Sequence, residues 1–196
     1  MSFLHEIRTP ILIMWSLIII VYIIRSPTLT WLNPPSTIDD KYYEMLNPSR
    51  FTEYGLVTNI SDGDTLTIDE SYDVRLMGID TPELAHPEIF IKEECFGKDA
   101  SLRLKQLLAN TYVYLFKDQK DVDHYNRRLR FVFVPDRGNP TRYLSVNAYM
   151  VGEGFARAYA LEPNQTYKQK IAALQQEAIQ NKKGLWGTCD REKFRW

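Results

Sequence analysis

Between residues 54 and 134 the chain is punctuated into five short runs rich in aromatic and β-branched side chains, and this punctuation constrains the fold more than any other feature. The runs are 54–60, 65–69, 72–79, 111–117 and 129–134, each the length of a single strand. The turn signal Asp62-Gly63 separates the first two, and 72–79 alternates Val74, Leu76 and Gly78 against Arg75, Met77 and Ile79. Helical spacing appears in three places. Leu104, Leu107 and Leu108 share a face in 98–109, a short helix is expected at 145–151 ending near Gly152, and Tyr167, Ile171, Leu174 and Ala178 recur through 167–183. Thr166 with Gln169 reads as a capping box for the last helix and Gly184 as its stop. Five short strands leave exposed edges unless they close on themselves. The expectation is therefore an α+β domain built on a five-stranded β-barrel of the OB type, with three helices.

The 196 residues suit one domain and an appendage. The appendage is visible at 11–24, which reads ILIMWSLIIIVYII, carries no charge, and lies between Pro10 and Arg25. Its length falls between a signal-peptide core and the roughly 20 apolar residues of a spanning helix. The following residues, Arg25-Ser26-Pro27-Thr28, contain no small-x-small cleavage site. Residues 1–25 are accordingly read as an uncleaved signal anchor forming a single transmembrane helix, with the membrane as a partner of residues 11–24. Arg8 and Arg25 nearly balance the positive-inside bias, and the expected location of the globular part is the extracytoplasmic or lumenal side. Pro27, Pro34, Pro35 and Pro48 mark 26–50 as a linker, leaving 51–196 as the globular domain.

A net charge of −1 gives no support to a bulk electrostatic attraction for nucleic acid, so any grip on a polyanion must come from locally placed cations. Cys95 and Cys189 are too few for a disulfide scaffold and fit no zinc spacing. They are either two partly buried free thiols or one long-range disulfide worth up to about 4–5 kcal/mol, and the compartment decides between these. No feature indicates a protein partner.

Three segments carry chemistry: Asp62-Gly63-Asp64-Thr65, then Arg75-Leu76-Met77-Gly78-Ile79-Asp80-Thr81-Pro82-Glu83, then Asp123-His124-Tyr125-Asn126-Arg127-Arg128. Taken singly, each has an ordinary explanation: a hairpin turn, a helix start with Pro at its first position, a solvated polar loop. Taken together they form a constellation. Asp64 and Asp80 end strands that can be neighbours, so two carboxylates can converge on a hard cation. Glu83 follows closely enough to activate a water beside it. Arg75 and Arg127 supply two guanidiniums suited to phosphate oxygens and to the charge that develops during phosphoryl chemistry.

The segments DGDT, RLMGIDTPE and DHYNR, with GLW after the last helix, resemble the staphylococcal nuclease (thermonuclease) family over about 57–186. The resemblance implies an OB-fold barrel with three helices and a calcium ion held by Asp64, Asp80 and the main-chain carbonyl of Thr81. It implies Glu83 as general base, Arg75 and Arg127 as catalytic arginines, and Tyr125, Tyr159 and His124 as substrate contacts. The implied reaction is attack of water on phosphorus in DNA or RNA, leaving 5'-hydroxyl and 3'-phosphate ends. The chain departs from the family's pattern in places. Asn126 stands where the family has Gly, and Asn tolerates a left-handed backbone better than most residues. His124 replaces a common Lys. Of the nucleotide-binding aromatic pair only Tyr159 is present, with Leu161 at the second position before Glu162-Pro163-Asn164. His86-Pro87 matches the family's loop after the glutamate. The competing reading is a non-catalytic OB-fold nucleic-acid-binding module, which would need neither Glu83 nor the two arginines beside metal-spaced aspartates.

Overall fold

The computed structural model describes residues 38–85, 88, 90, 92–160 and 162–190. In chain order the elements are β1 (Tyr43–Met45), β2 (Glu53–Ile60), β3 (Thr65–Ile68), β4 (Tyr72–Leu76), β5 (Ile79–Asp80), α1 (Gly97–Leu108), β6 (Tyr112–Phe116), β7 (Arg128–Asp136), β8 (Asn139–Ser145), α2 (Val146–Gly152), β9 (Arg157–Ala158), α3 (Lys168–Gln180) and α4 (Leu185–Thr188). Each of the five expected runs yields a strand. Antiparallel pairing links β3 to both β2 and β4, β4 runs parallel to β7, and β6 pairs antiparallel with both β7 and β2. The five strands therefore close into a barrel without a free edge.

Closure depends on the length of β7. Residues 128–130 pair with β4, 131–133 with β6, and the end of the strand with β8. Leu129, Phe131, Val132 and Phe133 are all buried, so the strand lacks the alternation of a sheet with one wet face. Its outer side is covered by α2, where Asn147 Oδ1 accepts a hydrogen bond from Val132 N at 2.8 Å and Asn147 Nδ2 donates to the Met77 carbonyl at 2.8 Å. Inside the barrel, Val57, Leu66, Ile68, Val74, Leu76, Val113 and Leu115 are nearly or fully inaccessible.

The run expected as one strand at 72–79 is broken at Gly78, whose φ of +80° turns the chain left-handed. The break frees Ile79 and Asp80 to form β5, which pairs with β9 in a small separate sheet. Besides β9, two more strands were not expected. β8 hydrogen-bonds to β7, and β1 pairs with β8 from within the segment read as linker. The compact unit begins at Asp39, so residues 39–50 belong to it. Pro48 opens a 3-10 turn with Asn47 as its cap, and Tyr42 is completely buried.

The capping box expected from Thr166 and Gln169 does not form. The helix starts at Lys168 with Tyr167 as an N-cap that makes no side-chain bond, while Thr166 N donates to Asp118 Oδ2 at 3.0 Å. Cys95 and Cys189 are joined as a disulfide with a Cα–Cα separation of 6.1 Å. Among the described residues no helix is long and apolar enough to cross a membrane. The expected anchor at 11–24, the His86-Pro87 loop and Leu161 lie outside the described residues.

Candidate active site

The turn between β2 and β3 is shaped by its own residues. Asp62 Oδ1 accepts from Asp64 N at 2.9 Å, a side-chain turn that aspartate readily makes. Gly63 allows close approach: a Cβ there would lie 2.7 Å from Thr81 Oγ1 and 2.9 Å from Ala100 Cβ. The turn therefore packs against Thr81 and α1, and Asp64 is left 1% exposed. A carboxylate at that depth requires partners. Its Oδ2 accepts from Thr81 N at 3.0 Å and from Thr81 Oγ1 at 3.1 Å, and its Oδ1 pairs with Arg75 Nη1.

Arg75 reaches this point because β4 places it directly opposite Thr65 on β3. Its other terminal nitrogen, Nη2, contacts Asp80 Oδ1 at 2.6 Å, so one planar guanidinium bridges Asp64 and Asp80. The second oxygen of Asp80 is held from the opposite side by Arg157 Nε at 3.1 Å and Nη2 at 2.6 Å. Arg157 is the cross-strand partner of Asp80 in the β5–β9 sheet. Charges thus alternate along a line from Asp64 through Arg75 and Asp80 to Arg157.

Arg127 arrives from the turn preceding β7. Asp123 Oδ1 accepts from both Tyr125 N and Arg127 N at 2.9 Å, and its Oδ2 binds Arg127 Nε at 2.8 Å. Burial pushes the Asp123 carboxyl upward, but the hydrogen bonds and charge of Arg127 outweigh it and hold the group below its ordinary value. Asn126 occupies the left-handed region at φ +65°, the conformation expected where glycine is absent. So held, Arg127 Nη1 donates to Thr65 Oγ1 at 3.1 Å, which brings both guanidiniums onto the Asp64-Thr65 step.

Glu83 lies two residues after Thr81 and is partly exposed. Its carboxyl pKa is raised first by lost hydration and then by the charges of Asp62, Asp80 and Glu94, with Arg75 opposing. Burial likewise raises Asp62, against Arg75, hydrogen bonds from Thr65, and Arg127. Asp62, Asp64, Asp80, Glu83 and Glu94 outnumber Arg75, Arg127 and Arg157 here, and an excess of carboxylates is what a hard divalent cation neutralises with oxygen ligands. Among the described residues no three His, Cys, Asp or Glu side chains gather closely enough to hold a metal by themselves. The expected donor set needs only two, Asp64 and Asp80, with the Thr81 carbonyl as third ligand, and the local charge fits it.

At the rim, Tyr125 is 69% exposed, lies 3.8 Å from the His124 ring between centroids, and has the Arg127 guanidinium 5.3 Å above its ring. Tyr159, also exposed, stands on the β9 side, where its N–H donates to the Gly78 carbonyl at 2.9 Å. Asp64, Asp80, Thr81 and Arg75 are therefore joined by direct contacts, and Arg127 joins them through Thr65, whose hydroxyl donates to Asp64 Oδ1 at 3.2 Å. His124 and Tyr125 flank Arg127, and Tyr159 joins only through its backbone. Sequence reasoning missed Arg157, whose position opposite Asp80 has no local motif, and treated Asp62 only as a turn residue.

The model of the staphylococcal nuclease homologue family matches residues 73–188. A thermonuclease of Staphylococcus hyicus is 32% identical over 133 residues, 66% of this chain and 73% of the relative. A thermonuclease of Staphylococcus intermedius is 35% identical over 134 residues, 67% of this chain and 74% of the relative. A micrococcal nuclease of Shigella flexneri is 33% identical over 148 residues, covering 72% and 79% respectively.

Proposed function

The chain belongs to the staphylococcal nuclease family and is a hydrolytic nuclease, and from that premise we propose a calcium-dependent endonuclease of DNA or RNA tethered to a membrane. The observation that carries this reading is the convergence of Arg75 and Arg127 on the Asp64-Thr65 step, beside Asp80. Glu83 follows three residues after Asp80. Asp64, Asp80 and the Thr81 carbonyl would hold calcium, which when bound supplies Lewis-acid polarisation of a phosphate oxygen.

The chain's own residues do the rest. Arg75 and Arg127 grip non-bridging phosphate oxygens and stabilise the charge that grows on them as phosphorus is attacked. Glu83 takes a proton from water while the water oxygen bonds to phosphorus and the bond to the 5' oxygen breaks. That oxygen takes a proton from solvent and leaves as a hydroxyl, with phosphate retained at the 3' end. A carboxyl pKa raised by lost hydration, and further by the charges of Asp62 and Asp80, makes Glu83 a stronger base than a free carboxylate. Tyr125 and Tyr159 offer ring faces to the nucleotide, and His124 a phosphate contact.

The charge-free run 11–24 supports the membrane tether. The Cys95–Cys189 disulfide supports an extracytoplasmic or lumenal location, where such bonds persist. The test is incubation of the full chain with linear DNA, circular DNA and RNA, in calcium or in excess chelator. Calcium-dependent nicking of the circle is expected, and Glu83→Gln should lower kcat by about 10²–10⁴-fold with the fold retained. Cleavage that persists in chelator, or an unchanged rate in Glu83→Gln, would remove the mechanism.

A further inference from the structure

Glu83 belongs to neither helix nor strand, yet both of its main-chain polar groups are held by one residue. Its N–H donates to Glu94 Oε2 at 3.0 Å, and Glu94 N–H donates to the Glu83 carbonyl at 3.0 Å. The next turn closes tightly on the same atoms. Gly97 N–H bonds to the Glu94 carbonyl at 3.1 Å, and a Cβ on Gly97 would lie 2.5 Å from the Glu83 carbonyl oxygen.

The neighbour of Glu94, Cys95, is bonded to Cys189 immediately after α4. That helix is in turn fixed to the chain before β9, because Leu185 N–H donates to the Gly154 carbonyl at 2.9 Å. Phe96, between the disulfide and α1, packs against Phe155 with centroids 5.6 Å apart. A continuous covalent and packed connection therefore runs from Glu83 through Glu94 and the disulfide to the segment that delivers Arg157 to Asp80.

We propose that Glu94 is a positioning residue for Glu83, and that the Cys95–Cys189 disulfide holds Glu94 in that role, so that hydrolysis depends on the oxidised pair. The inference rests on the nuclease reading of the site. Glu94 does not reach the reacting atoms. It fixes the backbone from which the Glu83 carboxylate is presented, and a displacement of about 1 Å in such a group can cost on the order of 10²-fold in rate. Its negative charge is a separate feature, which the glutamine variant removes while keeping the acceptor oxygen.

The experiment compares the full chain with Glu94→Ala, Glu94→Gln and the double variant Cys95→Ser, Cys189→Ser, measuring kcat, KM and exchange of the Glu83 amide proton. Glu94→Ala should lower kcat by about 10- to 100-fold with KM nearly unchanged, and its Glu83 amide should exchange faster. Glu94→Gln, whose amide oxygen accepts the same bond, should keep the protection and most of kcat. The double serine variant should lose kcat and protection while retaining its circular dichroism. Where Glu94→Ala does not fold, Glu94→Asp keeps the charge, withdraws the acceptor and carries the same expectation. Unchanged protection and kcat in the alanine variant overturn the inference, as does a glutamine variant impaired as far as alanine. A wild-type chain that cleaves nothing fails the nuclease reading instead, and amide exchange still decides whether the clamp exists.

Discussion

Replacing Glu53 with Gln removes one charge from a network that lies beside the Arg127 turn and outside the carboxylate cluster. Glu53, on β2, receives Arg130 Nε at 2.6 Å and Arg130 Nη2 at 2.5 Å on one oxygen, and Arg128 Nη1 at 2.5 Å on the other. The Arg130 side chain is 3% exposed, and its remaining donors reach the carbonyls of Asp121 and Leu129 and the Asp121 carboxylate. Removing one member of a buried pair costs about 3–5 kcal/mol, because the other charge stays buried without compensation. Asp121 still contacts Arg130 in the variant, which places the expected loss near the lower end, about 3 kcal/mol. For a domain of this size that corresponds to a fall in Tm of roughly 6–12 °C. Arg128→Ala is the internal comparison. Its guanidinium is 40% exposed, and an ion pair of that kind contributes about 1 kcal/mol or less. Burial raises the Glu53 carboxyl, but hydrogen bonds from Arg128 and Arg130 bring it below the ordinary 4.5. Its contribution is thus complete above that value and fades as pH falls through the folded-state pKa. Urea unfolding of wild type and Glu53→Gln should show the full gap near neutrality and a closing gap in acid. A gap below about 1 kcal/mol at neutral pH, or one that persists once Glu53 is protonated, would refute the reasoning.

Two further outcomes follow from the geometry. Asn126→Val, at φ +65°, should cost about 1–2 kcal/mol and lower kcat by shifting Arg127, whereas Asn126→Gly should be near neutral. Denaturation and steady-state kinetics on the pair check this, and equal stability of the two variants would contradict it. Arg157→Gln withdraws a cation that occupies Asp80, so calcium binding measured by titration calorimetry should tighten, on the order of tenfold. Weaker binding would instead mean that Arg157 serves mainly to orient its carboxylate.

The barrel strands were legible in the sequence because each is a short run of branched and aromatic side chains ended by a turn, and local composition marks that. β8 carries no such mark. It begins Asn139-Pro140-Thr141, and its apolar end runs directly into α2. β1 is three residues long and exists only through its pairing with Tyr143 and its neighbours on β8, a relation between segments about one hundred residues apart. The prolines of 26–50 suggested a linker throughout, but Pro48 also suits the start of a 3-10 turn, and composition does not distinguish the two. The capping box failed for a tertiary reason, since Thr166 donates to Asp118 before the helix begins and the start moves past it.

The placement of the site residues follows the same division. Asp64, Asp80 and Arg127 are positioned by local devices: the Asp62 side-chain turn, the left-handed step at Gly78, and the Asp123–Asn126 turn with its own left-handed residue. Each leaves a trace within a few residues, so the segments could be picked out before the fold was known. Their partners are set by register. Arg75 faces Thr65 across β3–β4, Arg157 faces Asp80 across β5–β9, and Glu94 reaches Glu83 across a loop. Had β4 slipped by one residue against β3, Arg75 would point away from Asp64, and every motif would survive in the sequence without a site. Barrel closure through β7 fixes that register, because Val74, Arg75 and Leu76 must match Arg128, Leu129 and Arg130 at the same time as β3. The strand that follows the Arg127 turn therefore also sets the position of Arg75, and the two guanidiniums are placed relative to each other by one sheet rather than by two independent loops.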